Sequence, residues 1–181
     1  MAISFSSSQI LNGANVFRAP AFEISTAISN TATAVSGHTG AIALLDTNIL
    51  VYAYNVDSEY NAVCRALLDR VMKGELNVCL APQILFEFFA VVTNPARVTK
   101  PITSKDALDE IAKLADSIPL ITPPINVHED VINLMRQLEF GSKHIYDMVL
   151  AATMFSNGVT QLYTYDVGGF QKIPGIRVLN P

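Results

Sequence analysis

The chain is predicted to fold as an α/β domain around a parallel sheet, and three observations lead there. Short apolar runs of strand length alternate with segments of helical period from about residue 41 onward. Half of the residues are hydrophobic and only 15% are charged, a balance that sustains a buried core. The length of 181 residues suits one domain. Strands that alternate with helices pair in parallel and are covered on both faces.

The elements follow in order. Ile42 to Leu45 is a compact apolar run that ends at Asp46 and reads as a buried strand. Val63, Ala66, Leu67 and Val71 mark one face of a helix. Asn77 to Ala81 is a second strand, stopped by Pro82, which also opens a helix over Gln83 to Val92. Leu108, Ile111, Ala112 and Ala115 form the stripe of an amphipathic helix, and Leu120 to Ile121 is a short strand bounded by Pro123 and Pro124. Asn126 and Glu129 have capping-box spacing. The helix they open carries Val131, Leu134, Met135 and Leu138 inward and ends at Gly141. Met148, Ala151, Ala152 and Phe155 form the next stripe, closed by Gly158. Gln161 to Tyr163 and Arg177 to Leu179 are the last strands.

Residues 1 to 40 differ in composition, being rich in Ser, Ala, Thr and Asn with one Arg and one Glu, and their apolar residues keep no sustained period. They are expected to be a poorly ordered or variable extension, with the domain proper over 41–181. Ser4, Ser6, Ser7, Ser8 and Gln9 break up any signal-peptide core, and the Arg content is low for an organelle transit peptide. No run of about 18 apolar residues is present, so no membrane span is expected and a cytoplasmic protein is the reading. Cys64 and Cys79 form no C-x-x-C pair and read as reduced core thiols. The net charge of −4 argues against coating nucleic acid by bulk electrostatics. It does not exclude a nuclease, because a cation held by convergent carboxylates inverts the local field.

Ligands of open parallel sheets sit beyond the carboxyl ends of the strands. Asp46 stands directly after the first strand, Asp147 near a helix start, and Asp166 between a strand and a Gly pair. Singly, each has an ordinary reading as a helix cap or turn residue. Glu87 lies on a helix whose neighbours are Ile84, Leu85, Phe86, Phe88, Phe89, Ala90, Val91 and Val92, with no Lys or Arg within a turn. It is expected to be a buried carboxylate, which costs several kcal/mol unless a proton, a distant base or a cation meets it. Four carboxylates at one rim repel strongly without proton sharing or bound cations. An all-oxygen set suits Mg²⁺ or Mn²⁺ rather than structural zinc. Such a cation supports in-line attack at a phosphoryl centre, so phosphodiester hydrolysis is the reaction class.

The run LLDTNIL, Glu87 forty-one positions after Asp46, then VVTNPARV, IYDMVLAATM and NGVTQLYTYDVGGFQKIPGIRVLNP resemble the PIN domain, nearest to VapC-type toxins of bacterial toxin–antitoxin pairs. The likeness runs from about Ile42 to Pro181. It implies a Rossmann-like three-layer α/β/α fold with a five-stranded parallel sheet, and an Mg²⁺- or Mn²⁺-dependent endoribonuclease. It also implies an RNA substrate, an antitoxin that covers the site, and a homodimer. By position Asp46, Glu87, Asp147 and Asp166 match the acidic ligands, Asn48 the residue that orients the first Asp, and Thr164 the threonine at the last strand end. Gly169 departs from the pattern, because many relatives carry Asp just before the Phe that matches Phe170.

Lys143, His144 and Tyr146 could meet phosphate or a base, and Arg97 and Lys100 could line an RNA path; a solvated loop is the ordinary reading of both groups. Three rivals stand beside the main reading. A haloacid dehalogenase-type phosphatase needs an Asp two positions after the first, where this chain has Asn48. The others are a non-catalytic PIN-like binding module and a PIN nuclease outside any toxin system.

Overall fold

The computed structural model describes residues 40–181. All of the N-terminal extension except Gly40, and with it the expectation for that segment, lies outside the described residues. The chain runs β1 (Ala43–Leu45), α1 (Thr47–Tyr54), α2 (Asn61–Met72), β2 (Val78–Cys79), α3 (Pro82–Val92), α4 (Ser104–Ser117) and α5 (Val127–Leu138). A 3₁₀ turn at Ser142–His144 then leads into α6 (Ile145–Ser156), β3 (Gln161–Tyr163), α7 (Val167–Phe170) and β4 (Arg177–Leu179). The strands form a parallel sheet in the order β2-β1-β3-β4. After β1 the chain moves out to β2 and returns to β3 on the other side, so the strand order reverses between β1 and β3. The carboxyl ends of those two strands carry Asp46 and Thr164.

The sheet has four strands rather than the expected five. The segment Leu120 to Ile121 contributes only an isolated parallel bridge from Leu120 to Leu80. Two hydrogen bonds hold it, Leu80 N–H to the Pro119 carbonyl at 2.9 Å and Ile121 N–H to the Leu80 carbonyl at 2.8 Å. Pro119, Pro123 and Pro124 lack the N–H groups that would extend the ladder in either direction.

All three residues of β1 are buried, and Leu44, Leu45, Leu162, Ile84, Phe88 and Met148 sit fully inside between sheet and helices. Each such side chain contributes on the order of 1.5–3 kcal/mol relative to exposure. Cys64 and Cys79 are free and buried, as expected. The inward stripe of α6, with Met148, Ala151 and Ala152 buried, and that of α5 on Val131 also follow the sequence pattern.

Several local expectations shift. In α2 the buried residues are Cys64, Leu67, Leu68 and Val71, while Val63 and Ala66 face water. A helix stripe anchored on Cys64 keeps Leu68 one turn on and inside, which the more hydrophobic Val63 obscured. In α4 the buried positions are Ala107 and Leu114, and Leu108 and Ala112 are exposed. The Asn126 side chain does not cap α5. Its backbone is not extended as a cap requires, and its carbonyl takes the Glu129 N–H instead. That helix ends at Glu139, in the left-handed region at φ 51°, rather than at Gly141. The turn sets Phe140 against the His144 ring, with centroids 4.6 Å apart. Gly158 closes α6 with φ 68°.

Candidate active site

Asp46 caps α1 and carries the centre of the site. Its Oδ1 accepts the Thr47 N–H at 2.6 Å, and its Oδ2 accepts both Asn48 Nδ2 at 2.6 Å and the Thr164 hydroxyl at 2.5 Å. Thr164 is fully buried, and its hydroxyl, after donating to Asp46, accepts from Asn48 Nδ2 and from the Asp166 N–H, both at 2.9 Å. Every hydrogen-bonding position of that hydroxyl is thereby used. Asn48 turns its carbonyl oxygen to the Tyr165 N–H at 3.2 Å, tying α1 to the segment after β3. The cap role expected of Asp46 is present, and its carboxylate lines the cleft at the same time.

That cleft, about 1330 Å³, is lined by Asp46, Asn48, Glu87, Asp147 and Asp166, with Tyr52, Gln83, Phe86, Arg97, Tyr146 and Phe170 among the other walls. All four carboxylates singled out in the sequence face it, although they come from four separate segments. Thr164 lies behind Asp46, where an orienting group belongs. Gly169 packs within the same group: a Cβ there would sit 3.5 Å from Asp147 Oδ2 and 3.8 Å from Asp166 Oδ2.

Glu87 corrects the expectation of a buried, unpartnered acid. It is half-buried, and its oxygens accept from Thr47 Oγ1 and Gln83 Nε2, each at 2.8 Å. The helix that looked apolar all round has an open side at Gln83, Phe86, Glu87 and Ala90, one turn apart along the cleft. Gln83 was findable from its i, i+4 spacing to Glu87. Thr47 was not, because forty residues separate it from its partner. His144 approaches Asp147, with Nδ1 3.0 Å from Oδ2, so it partners the carboxylate rather than standing free in a loop. Lys143 is exposed, and Lys100 reaches Asp57 at 3.4 Å away from the cleft; Arg97 does line it.

The carboxylates affect one another. Burial pushes the Asp46 pKa up to about 6; the Thr164 and Thr47 hydrogen bonds oppose the rise, and the nearby charges of Glu87 and Asp166 add to it. Burial likewise raises Asp147, against its bond to His144, and Asp166 and Glu87 contribute charge repulsion. Such a set gains from a positive ion, and its all-oxygen donors match a hard divalent cation. Among the described residues no three His, Cys, Asp or Glu side chains stand in a ready-made ligating group. The acids ring an open cleft instead of closing on one point. No helix among the described residues is long and apolar enough to cross a membrane.

Comparison with known proteins agrees with this architecture. Ribonuclease VapC24 of Mycobacterium tuberculosis is 26% identical over 146 residues, covering 76% of this chain and 94% of that protein. VapC ribonuclease Mb2897 of Mycobacterium bovis is 31% identical over 139 residues, covering 76% and 93%. In structure the chain resembles Mycobacterium tuberculosis VapC20, a sarcin–ricin loop cleaving toxin, with a TM-score of 0.57 at 15% identity over 78% of this chain and 100% of that one. It also resembles VapBC2 of Rickettsia felis bound to a promoter DNA fragment, with a TM-score of 0.56 at 19% identity over 77% and 98%. A family model described as PIN domain matches residues 43–176, and with nearly the whole described region inside that match, the chain belongs to the PIN domain family.

Proposed function

We propose that this protein is an endoribonuclease dependent on Mg²⁺ or Mn²⁺ and the toxin of a toxin–antitoxin pair. The observation that carries the reading is the meeting of Asp46, Glu87, Asp147 and Asp166 around one cleft, with Asp46 fixed by three hydrogen bonds. The names of the related VapC ribonucleases support RNA as substrate and a cognate antitoxin as partner. A homodimer in the cytoplasm and a domain spanning 41–181 complete the proposal.

Asp46, Asp147, Glu87 and Asp166 would hold the cation, which when bound supplies Lewis-acid stabilisation of charge on the scissile phosphate. The chain's own residues perform the positioning. Thr164 and Asn48 fix the direction of the Asp46 carboxylate, as hydrogen-bond donors behind a metal ligand do. Thr47 and Gln83 hold Glu87, and His144 holds Asp147. Gly169 leaves the Asp147–Asp166 side without a further acid. Asn48 also speaks against the phosphatase alternative. At the place where that chemistry needs a general acid, its amide donates to Asp46 and has no proton to deliver to a leaving group.

The test is Mn²⁺-dependent cleavage of RNA by the full chain beside Asp46→Ala and Asp147→Ala, with hydrolysis of a small phosphate ester run in parallel. The expected result is RNA cleavage by the parent protein alone. Equal cleavage by all three proteins removes the mechanism, and absence of cleavage by the parent favours a binding module.

A further inference from the structure

Two aromatic rings at the mouth of the cleft are left in water: Phe86 on α3 and Tyr146 on α6 are each 68% exposed. Each immediately precedes a site carboxylate, Glu87 and Asp147 respectively. The two helices are joined there, because Gln83 Nε2 donates both to Glu87 and, at 3.3 Å, to the Tyr146 carbonyl. An exposed Phe gives up most of the stabilisation that burying it would provide, so a ring in this position suggests a binding surface.

The charges around it indicate what binds. Among the described residues the cleft presents four carboxylates and one cation, Arg97, and the whole chain has a net charge of −4. Side-chain cations therefore supply little of the grip that nucleic-acid binding usually takes from phosphates. Aromatic faces supply affinity that requires no cation and tolerates any base sequence. A base is joined to its phosphate within a single nucleotide, and each ring sits one residue from a carboxylate of the proposed cutting site. We propose that Phe86 and Tyr146 stack on nucleobases of single-stranded RNA on the two sides of the scissile phosphate. This inference rests on the ribonuclease reading. It adds that RNA is gripped through its bases, and that paired RNA, whose bases are already stacked on one another, is a poorer substrate.

The experiment measures the Michaelis constant of the full chain, with Mn²⁺, on a single-stranded oligoribonucleotide carrying 2-aminopurine as a stacking reporter. Phe86→Ala and Tyr146→Ala are expected each to raise KM on the order of tenfold, the worth of one base–aromatic stack, and to relieve the quenching of the reporter on binding. Phe86→Tyr and Tyr146→Phe, which keep the ring, are expected to restore both. Both rings are largely outside the core, so truncation leaves the packing intact. If the parent protein cuts RNA and both Ala variants keep its KM and its quenching, the inference is overturned, the ribonuclease reading stands, and the rings belong to a protein partner. If the parent protein cuts no RNA, the ribonuclease reading fails and the inference with it.

Discussion

Asp46 and Glu87 line two walls of the same cleft, the start of α1 and the open side of α3, and they are held in different ways. Asp46 is 9% exposed, takes three hydrogen bonds, and sits where the sheet reverses its strand order, so its neighbours include backbone fixed by β1 and β3. Glu87 is half-buried and takes two bonds, both from side chains, on the open side of a helix. One wall is fixed by main chain and a buried threonine; the other is held by side chains alone. Under the proposed function, such a site would offer a cation one carboxylate already aimed and another held by side chains alone. This division suits a site whose acids ring an open space without yet closing on a point.

The largest expected effect follows from removing the aimed carboxylate. Asp46→Ala is expected to lower metal-dependent RNA cleavage on the order of 10³-fold, the several kcal/mol that a correctly held cation supplies. Glu87→Gln, which keeps the shape and the bond from Thr47, is expected to cost about 10-fold to 100-fold, because an amide oxygen can still face the cation but without the carboxylate's charge. Turnover of the two variants on one RNA substrate measures the difference. Equal losses would mean that the two walls contribute alike and that the asymmetry in burial has no functional counterpart.

The next effect concerns stability. Folding raises the Asp46 pKa from 3.8 to about 6, so the folded state holds this proton more tightly than the unfolded chain does. Stability from this group is complete below the unfolded value and is lost as the pH rises through the folded one. With a chelator present, the protein is therefore expected to lose about 2 kcal/mol between pH 4 and pH 7 from Asp46 alone, most of what the shift is worth. The upward shift of Asp147 acts in the same direction. Urea unfolding of the parent protein and of Asp46→Asn across that window reads the difference, and Asp46→Asn should lack this share of the slope. Added Mn²⁺ should flatten the parent profile, since a cation replaces the proton. A parent and variant with the same slope would mean that Asp46 is not strained by its burial.

A smaller effect tests how each wall supports its acid. Thr164→Val removes a buried donor at nearly constant volume, and is expected to weaken Mn²⁺ affinity by about 10-fold to 100-fold in a calorimetric titration. Gln83→Ala removes a donor that lies on the open side of α3, and only a few-fold loss is expected, about the net worth of one exposed hydrogen bond. If Gln83→Ala were the more damaging of the two, the wall held by side chains alone would be the one that sets the geometry.

The two walls also differ in how far the sequence revealed them. Asn48 and Thr164 came from the resemblance to the PIN domain, whereas Asp46 stands at a strand end, and the carboxyl edge of a parallel sheet is where such folds bind ligands, so strand position was enough to single it out. The same is true of β3 and β4, whose apolar runs matched the strands residue for residue. Glu87 was found for a reason that did not hold. A run of apolar neighbours suggests burial all round, but Phe86 and Ala90 are exposed because the helix borders a cleft, and hydrophobicity cannot distinguish a core from a concave surface. The partner Thr47 was missed because a hydroxyl carries no periodic signal and only the fold brings it across forty residues to its carboxylate, whereas His144 was read as meeting substrate although its i, i+3 spacing to Asp147 already offered the pairing. The fifth strand failed through its prolines, which were read as boundaries although they also remove the donors a ladder needs.

The smallest expected effect lies at Gly169, beside Asp147 and Asp166. The residue belongs to α7 and its backbone is not in the left-handed region, so any L residue can adopt its conformation. A Cβ there meets Asp147 Oδ2, His144 Nδ1 and Asp166 Oδ2 at 3.5 to 3.8 Å, ordinary contact distances. Gly169→Ala is therefore expected to be accepted and to raise stability by about 0.5–1 kcal/mol, the gain from replacing glycine within a helix. Gly169→Asp has the same backbone freedom but brings another negative charge against Asp147 and Asp166. It is expected to lose that gain in chelator and to recover it, with tighter Mn²⁺ binding, once the ion is present. Thermal unfolding of both variants with and without Mn²⁺ separates the two contributions. If Gly169→Asp responded to Mn²⁺ no more than Gly169→Ala does, then Asp147 and Asp166 would not share an ion on that side, and the cation would rest on Asp46 and Glu87.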